Sequence, residues 1–401
     1  MKRYLLVTFV ILGLMAASLS AATRDGESER SKSFAVTKGG KLIVKVYGGE
    51  LKITSWEKNE VFAKVTKLDE KDSEQLVMEQ DGNTVRIELK NKSSRSRRQS
   101  PEFAISIPSQ FDAQLSTGGG GISVQGKIKG SVTGTTGGGS ITLEDAVEGE
   151  LNLTTGGGEI RAKNVAGNTT LTTGGGEISI GSIEGKVTVT TGGGSVTLDK
   201  VLGELTVTTG GGNIVVESVT KSLKATTGGG EIYIKNAGGD IKASSGGGEM
   251  KIGKVTGNAT MSTGGGAISL DGATGKVSLT TGGGELDIRN VTGSVKATTG
   301  GGDIVAELRP TGQGGSKLTS GGGDITLYVP EDARVTIIAV IKVEDKDDFK
   351  KYKIMSEFKH DKYESNDRDE EIRAVYTLNG GGEEITLTTS ESDITIKKLK
   401  K

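Results

Sequence analysis

One stretch decides the fold of this chain: residues 192–209 read GGGSVTLDKVLGELTVTT. After the three glycines, apolar and polar residues alternate in two short runs that a single glycine separates. Successive side chains of a β-strand point to opposite faces, so Val196, Leu198, Leu205 and Val207 are expected to share one side of the backbone. The stretch therefore predicts two strands and two turns, with the apolar residues facing a core.

The stretch is one unit of a repeat. The triplet Gly-Gly-Gly recurs with its first glycine at positions 118, 137, 156, 174, 192, 210, 228, 246, 264, 282, 300 and 321. Successive spacings are 19, 19, then 18 eight times, then 21. A fixed period of this size indicates stacked structural units that bury their apolar columns against one another. We predict an all-β fold, a single-chain β-solenoid (parallel β-helix) with coils of 18 residues.

The glycines are expected at the corners of each coil. So short a coil must reverse direction sharply twice, and glycine adopts positive φ without steric cost. The triplet would form one corner, and a single glycine eleven residues after its start, such as Gly203, would form the other. The glycine excess, 65 of 401 residues, then indicates a rigid rod and not a flexible chain.

Composition narrows the possible functions. The chain has no Cys, one His and 4% aromatic residues, so disulfide scaffolds, Cys/His metal sites and base-stacking platforms have almost nothing to be built from. Fifty Lys and Arg against 51 Asp and Glu give a formal net charge of -1. That balance argues against a dedicated polyanion-binding protein, and no nucleic-acid partner is expected. No cofactor is expected.

Residues 1–22 have the features of a secretory signal peptide. Lys2 and Arg3 precede an apolar run, 5–19, and small residues follow at 20–22. The run is shorter than the ~20 residues that a membrane-spanning helix needs, so no integral membrane segment is expected after cleavage. The mature chain would hold 48 basic and 51 acidic residues. We predict an exported protein that is periplasmic, on the cell surface or secreted.

The repeat array divides the rest of the chain. Residues 23–32 are predicted to form a polar linker, 33–116 a β-rich N-terminal cap, 117–330 the glycine-rich solenoid, and 331–401 a β-rich C-terminal cap with a charged insertion. The two flanks keep alternating strand patterns but lose the strict period. Caps are expected because the ends of a solenoid expose unpaired strand edges and an apolar column.

Three features resemble a known bacterial family. They are the coils ending in Thr-Thr-Gly-Gly-Gly, the segment GELKITSW at 49–56, and the closing segment LNGGG at 378–382 followed by DITI at 393–396. Together they are similar to the family called "putative adhesin", the DUF4097 β-strand repeat family, over nearly all of the chain after residue 22. The resemblance implies an exported β-solenoid and brings no functional residues with it.

The position after each triplet is often acidic. Stacked at ~4.8 Å, neighbouring carboxylates would repel by ~0.9 kcal/mol per pair in water. A bound Ca²⁺ could relieve this, although the Asp of the known calcium-binding nonapeptide is absent, which favours a solvated acidic edge. Ser195, Asn213 and Ala267 interrupt the column, whose acidic members are Glu159, Glu177, Glu231, Glu249, Glu285, Asp303 and Asp324.

Two further surface features are candidates for ligand contact. The basic run Lys90, Lys92, Arg95, Arg97 and Arg98 is interleaved with serines, which indicates a loop that either contacts acidic glycans or anionic lipid or stays solvated. Outward threonines form a column that resembles ice-binding surfaces, yet threonine is also a good strand residue. That column comprises Thr154, Thr172, Thr190, Thr208, Thr226, Ser244, Ser262, Thr280 and Thr298, and its partner column is broken by Lys224, Lys242 and Lys296.

These features predict a non-enzymatic solenoid, an adhesin or a cell-envelope scaffold. Repetition favours weak contacts summed along a periodic partner such as a polysaccharide or another envelope or matrix component. Two alternatives stay open. One is a carbohydrate-active enzyme, which would need two carboxyl groups ~5–10 Å apart in a cleft. The other is a calcium-stabilised solenoid.

Overall fold

The computed structural model of the protein describes residues 20–24, 27–90, 100–312, 314–366 and 370–400. Most of the predicted signal peptide therefore lies outside the described residues. The N-terminal segment contains one short helix, α1 (Glu70–Gln75). Its strands are β1 (Ser20–Arg24), β2 (Glu27–Ala35), β3 (Gly40–Val46), β4 (Glu50–Trp56), β5 (Glu60–Leu68), β6 (Leu76–Asp81), β7 (Thr84–Leu89) and β8 (Glu102–Pro108).

The repeat array places two strands in each coil. Odd-numbered strands build sheet 1: β9 (Phe111–Thr117), β11 (Val132–Thr136), β13 (Leu151–Thr155), β15 (Thr169–Thr173), β17 (Val187–Thr191), β19 (Leu205–Thr209), β21 (Leu223–Thr227), β23 (Ile241–Ser245), β25 (Ala259–Thr263), β27 (Val277–Thr281), β29 (Val295–Thr299) and β31 (Ser316–Ser320). Even-numbered strands build sheet 2: β10 (Ile122–Gln125), β12 (Ile141–Val147), β14 (Ile160–Val165), β16 (Ile178–Ile183), β18 (Val196–Val201), β20 (Ile214–Val219), β22 (Ile232–Ala237), β24 (Met250–Val255), β26 (Ile268–Ala273), β28 (Leu286–Val291), β30 (Ile304–Leu308) and β32 (Ile325–Val329).

The C-terminal segment, residues 331–400, adds further strands to the same two sheets. A 3₁₀ helix, Lys346–Lys350, lies within the charged stretch. The strands are β33 (Val335–Lys342), β34 (Ile354–Ser356), β35 (Lys362–Asn366), β36 (Glu371–Leu378), β37 (Glu383–Ser390) and β38 (Ile394–Lys398).

All strands of the array pair in parallel, one coil above the next, as the predicted β-solenoid requires. In sheet 1, Val187 pairs with Leu205 and Leu205 with Leu223, so each coil advances the register by 18 residues. In sheet 2, Val196 pairs with Ile214 in the same way. The all-β solenoid predicted from the period is confirmed.

The core lies between the two sheets. The apolar residues of the diagnostic stretch, Val196, Leu198, Leu205 and Val207, are all at most 1% exposed, which confirms the predicted inward face. Even-numbered strands bend after their second inward residue, so two consecutive side chains point outward and the strand contributes a second outer surface. Each regular coil thus buries five apolar side chains and one hydroxyl residue.

The buried hydroxyl stands immediately before each glycine triplet and is not part of the predicted core. In every coil its Oγ donates to a glycine carbonyl oxygen at the corner of the adjacent coil, over 2.7–2.9 Å. Most of these hydroxyls also accept a hydrogen bond from a glycine N–H of their own corner. The column comprises Thr117, Thr136, Thr155, Thr173, Thr191, Thr209, Thr227, Ser245, Thr263, Thr281, Thr299, Ser320 and Thr389.

The structure corrects the explanation for the glycines. No glycine of the array triplets has a positive φ. A Cβ on Gly210 would lie 2.0 Å from the carbonyl oxygen of Gly192, and a Cβ on Gly212 would lie 2.1 Å from that of Gly194. The glycines are therefore required because stacked corners approach too closely for a side chain. The middle glycine, such as Gly211, has no atom within 4 Å of its would-be Cβ.

At the N-terminal end, coil order differs from chain order. Strands β3 and β4 lie between β7 and β8 on one side and β9 and β10 on the other, with parallel pairing throughout. Antiparallel strands then finish the edges: β6 pairs with β7, and β5 pairs with both β8 and β2. The first complete coil of the chain is thus buried inside the stack.

The C-terminal end repeats this arrangement. Strands β37 and β38, the last in the sequence, lie between β31 and β32 on one side and β33 and β34 on the other. Antiparallel β36 and β35 then complete sheet 1. Both flanks therefore add coils to the solenoid as well as closing its ends.

Residues 23–32, predicted from the sequence to form a polar linker, form strands where the structure describes them. Their described part lies within β1 and β2. Because β2 pairs antiparallel with β5 and buries Phe34, this segment belongs to the sheet edge even though its composition is polar.

Candidate functional site

The outward side of sheet 1, called here the sheet 1 face, presents two columns of side chains. The first column consists of serine and threonine alone across the array and continues onto β37. Strand pairing keeps these residues in register from coil to coil, which confirms the outward threonine column predicted from the sequence. Its members are Ser116, Thr135, Thr154, Thr172, Thr190, Thr208, Thr226, Ser244, Ser262, Thr280, Thr298, Thr319 and Thr388.

The second column of this face runs two residues upstream and is more varied. It begins with neutral polar residues, and lysine occupies four of its later positions. The members are Gln114, Thr133, Asn152, Thr170, Thr188, Thr206, Lys224, Lys242, Thr260, Ser278, Lys296, Lys317 and Thr386. The face is therefore lined by hydroxyl groups along its whole length and by ammonium groups toward its C-terminal half.

The acidic column predicted at the position after each triplet lies at the corner where sheet 2 begins. Two members are half-buried and bind cations of their own strand. The Glu159 carboxylate lies 2.5 Å from the Arg161 guanidinium, and that of Glu249 lies 3.1 Å from the Lys251 ammonium. The other members are exposed: Glu177, Glu231, Glu285, Asp303 and Asp324.

Short side chains in the acidic column cap backbone groups of the next coil. The Asp324 N–H donates to Asp303 Oδ1 over 2.8 Å, and the Glu231 N–H donates to Asn213 Oδ1 over 2.9 Å. These contacts give the column a structural role at the corner. Among the described residues, no group of three or more His, Cys, Asp or Glu side chains is arranged to hold a metal ion.

The basic run is only partly described. Lys90 is exposed, and its Nζ lies 3.5 Å from Glu88 Oε2. Lys92, Arg95, Arg97 and Arg98 lie outside the described residues.

The structure also contains a cleft that the sequence did not indicate. It encloses about 1360 Å³ where the corner after β30 meets the C-terminal coils, and three of its carboxylates come from distant parts of the chain. Lys398 Nζ lies 2.6 Å from Glu331 Oε1, and the Lys398 N–H donates to Glu357 Oε2 over 2.7 Å. Glu383 Oε1 accepts from the Gly314 N–H over 3.4 Å. These carboxylates are engaged in contacts that join the end coils.

Sequence reasoning missed two groups of residues. The cleft arises from the exchanged order of the end coils, for which the local pattern holds no signal. The buried hydroxyl column does have a signal in the sequence, because a Thr or Ser precedes each triplet and strand alternation points that residue inward. Thr209, for example, is two positions after the inward Val207. The two helices in the described ranges have 6 and 5 residues, so neither could span a bilayer.

Comparison with known proteins identifies the family. The sequence pattern described as Toastrack DUF4097 matches residues 41–237 and 195–397. No curated protein matches the chain. Similar solved structures include a putative adhesin from Bacteroides fragilis, 10% identical, with a TM-score of 0.22 over 92% of this chain and 97% of that one. Another is a putative lipid-binding protein from Parabacteroides distasonis, 13% identical, with a TM-score of 0.21 over 75% of this chain and 94% of that one.

The two matched ranges overlap and together extend from residue 41 to residue 397. They include the opening segment at 49–56, the whole glycine-rich array and the closing coil, which are the features that carried the resemblance. The chain belongs to the Toastrack DUF4097 family.

Proposed function

We propose that this protein is an exported, non-enzymatic adhesin or cell-envelope scaffold whose sheet 1 face binds a polysaccharide. The observation that carries the proposal is the unbroken serine and threonine column of that face. Each hydroxyl can donate and accept a hydrogen bond, as sugar hydroxyls do. Strand spacing repeats the same group at ~4.8 Å along the stack.

A repetitive surface favours a repetitive partner. Once one sugar unit is bound, its neighbours lie at high effective concentration over the next coils, so weak contacts add along the polymer. The coils supply the rigidity that this requires, because their core residues are buried and their backbones are hydrogen-bonded to both neighbours. Thr190 and Thr208, for example, are held in direct register.

The contacts of three of the four cleft carboxylates support a non-enzymatic role. Glu331 and Glu357 both bind Lys398, and Glu383 binds a backbone N–H. A pair of carboxyl groups for glycoside cleavage has to be available to the substrate and to a water molecule. The near-identical coils of the array offer no position specialised for such chemistry.

Binding to a polysaccharide panel tests this proposal. The chain lacking residues 1–22 is assayed together with the double variant Thr190→Val/Thr208→Val on the sheet 1 face. The matched control, Ser179→Val/Thr197→Val, removes two registered hydroxyls from the outer side of sheet 2. We expect binding to at least one polysaccharide, weakened in the first variant and kept in the control. No binding to any polysaccharide, or release of new reducing ends, would overturn the proposal.

Export is tested separately. Fusion of residues 1–22 to a reporter that is active only outside the cytoplasm is expected to give activity, and the fusion with Ile11 and Leu12 replaced by charged residues is expected to give none. Retention of the native protein in the cytoplasm would contradict an envelope role.

A further inference from the structure

The charged side chains on the sheet 1 face of the array are all basic. From β11 to β31, none of its outward strand positions carries Asp or Glu, although the whole chain has nearly equal numbers of acids and bases. The charged side chains of these positions are Lys224, Lys242, Lys296 and Lys317, called here the lysine strip. All four are exposed.

In the part of the chain that the structure describes, no carboxylate forms an ion pair with a lysine of the strip. Among the described residues, none of the four Nζ atoms lies within 4.0 Å of an Asp or Glu oxygen. Some lysines on the outer side of sheet 2 do have such partners: Lys163 lies 3.2 Å from Glu144 and Lys235 lies 2.8 Å from Glu217. The strip is thus a row of lysines without direct ion pairs, on a chain whose basic and acidic residues nearly balance.

Geometry gives the strip the shape of a groove along the stack. Lys224 pairs in register with Lys242, and Lys296 pairs with Lys317. Two shallow depressions of about 440 and 520 Å³ flank these pairs and share Thr260 on their walls. The depressions therefore form one groove between this column and the corner that precedes each strand, with lysines at both ends and hydroxyls between them. Two carboxylates also lie on its wall: Glu204 lies 3.6 Å from Lys186, and Asp240 accepts from the Asn258 N–H.

The chemistry of the groove selects its partner. Ammonium groups attract carboxylate, sulfate or phosphate, and the intervening hydroxyls can bind sugar hydroxyls. None of the large apolar side chains that are exposed in the described structure, such as Tyr233 and Val305, lines this groove. Stacking of nucleic-acid bases and insertion into a lipid surface both rely on such groups.

We infer that the lysine strip binds an acidic linear polysaccharide, with anionic sugar units over the two lysine pairs. This inference rests on the proposed function, because it names the class of polysaccharide that the sheet 1 face takes. The lysines would add electrostatic attraction and make binding sensitive to salt.

The experiment measures binding of the chain lacking residues 1–22 to polygalacturonate, an acidic polymer, and to dextran, a neutral one. The strip variant carries Lys224→Thr, Lys242→Thr, Lys296→Thr and Lys317→Thr, which introduces the residue that other coils hold in this column. Because four exposed ion pairs are lost together, its affinity for polygalacturonate should fall at least about fourfold.

A pair of double variants separates position from net charge. Lys224→Thr/Lys242→Thr removes two charges from the strip, while Lys200→Thr/Lys254→Thr removes two exposed lysines from the bent half of sheet 2. The first variant should weaken binding to polygalacturonate and the second should leave it unchanged. Equal losses in both would contradict a site on the strip.

The remaining outcomes distinguish this inference from the proposed function. Binding to dextran alone would overturn the lysine strip and leave a polysaccharide-binding face. Binding to neither polymer nor to any polysaccharide of the panel would overturn both. Equal strip-dependent binding to duplex DNA or to phosphatidylglycerol vesicles would show a general polyanion surface and would overturn the assignment to acidic polysaccharides.

Discussion

The hydroxyl of Thr209 donates to the carbonyl oxygen of Gly194, one coil away, over 2.9 Å. The same Oγ1 accepts from the N–H of Gly212 over 3.2 Å. A buried side chain thus provides hydrogen-bond partners for two backbone groups of the glycine corners, where the hydrogen bonding between strands ends. Because this pair of contacts recurs along the stack, it fixes the corners of adjacent coils to one another.

Replacement of Thr209 by valine is expected to destabilise the fold by about 1–3 kcal/mol. Valine keeps the shape and the strand propensity, but the Gly194 carbonyl loses its side-chain donor and the Gly212 N–H loses its acceptor. Urea unfolding measures the change. Thr209→Ser should stay close to wild type, since Ser245 holds the same position, and Thr208→Val on the outer face should have little effect. Equal stability of Thr209→Val and Thr208→Val would contradict the role of the buried hydroxyl.

Adjacent glycines of one triplet should differ in their tolerance of alanine. Gly212→Ala places a Cβ 2.1 Å from the Gly194 carbonyl oxygen, so adjacent corners must move apart at a cost of about 1–3 kcal/mol or more. Gly211→Ala points into open space and is expected to be neutral or slightly stabilising. Thermal unfolding of the two variants makes the comparison. Similar destabilisation by both would favour a conformational requirement over close approach.

The sequence was sufficient for the period, the two strands of each coil and the inward apolar columns, because these depend on local alternation. It was insufficient for the cause of the glycine pattern. Positive φ and close approach both demand glycine, and only the stacking distance distinguishes them. The buried hydroxyl of Thr209 was overlooked because an isolated threonine in a strand is usually read as an outward residue.

Loss of the last strand should weaken the whole C-terminal end. Truncation after Ser390 removes β38, which pairs with both β32 and β34, and with it the fully buried Ile394 and Ile396. The two isoleucines alone contribute about 3–6 kcal/mol. We expect a lower unfolding midpoint and binding of a hydrophobic dye.

An internal deletion serves as the control for the truncation. Removal of residues 210–227 deletes one complete 18-residue coil and joins Thr209 to Gly228, which preserves the register of both sheets. Because each coil contacts only its neighbours, this shorter chain should fold cooperatively. A truncated chain as stable as the one lacking an internal coil would contradict a structural role for the interleaved C-terminal coil.

The order of the end coils in the stack could not be predicted from the sequence. Strands β3, β37 and any strand of the array share the same alternation, so each is compatible with several neighbours in the stack. Their order is decided by long connections, such as 57–101 and 331–382, whose paths depend on tertiary contacts. The cleft and its carboxylates result from this order, so the sequence did not predict them either.

Alkaline pH should weaken the N-terminal end through Tyr47. Its hydroxyl donates to the buried Asp72 carboxylate over 2.5 Å, and burial together with this carboxylate raises the pKa of Tyr47 above its ordinary value. The folded state therefore retains a proton that the unfolded chain loses near pH 10, so stability should fall as pH rises above about 10. Tyr47→Phe should reduce the slope of stability against pH in that range, relative to the exposed-site control Tyr363→Phe. Parallel slopes for both would contradict this account.

The dependence of affinity on oligosaccharide length tests the central claim, that the sheet 1 face binds a linear polymer by adding contacts over successive coils. Lys224 and Lys317 are separated by five coil steps, or about 24 Å at ~4.8 Å each. Titration calorimetry with galacturonate oligomers of increasing length should show affinity rising until an oligomer covers this distance and levelling off beyond it. The same affinity for a monomer and for long oligomers would contradict a periodic binding face.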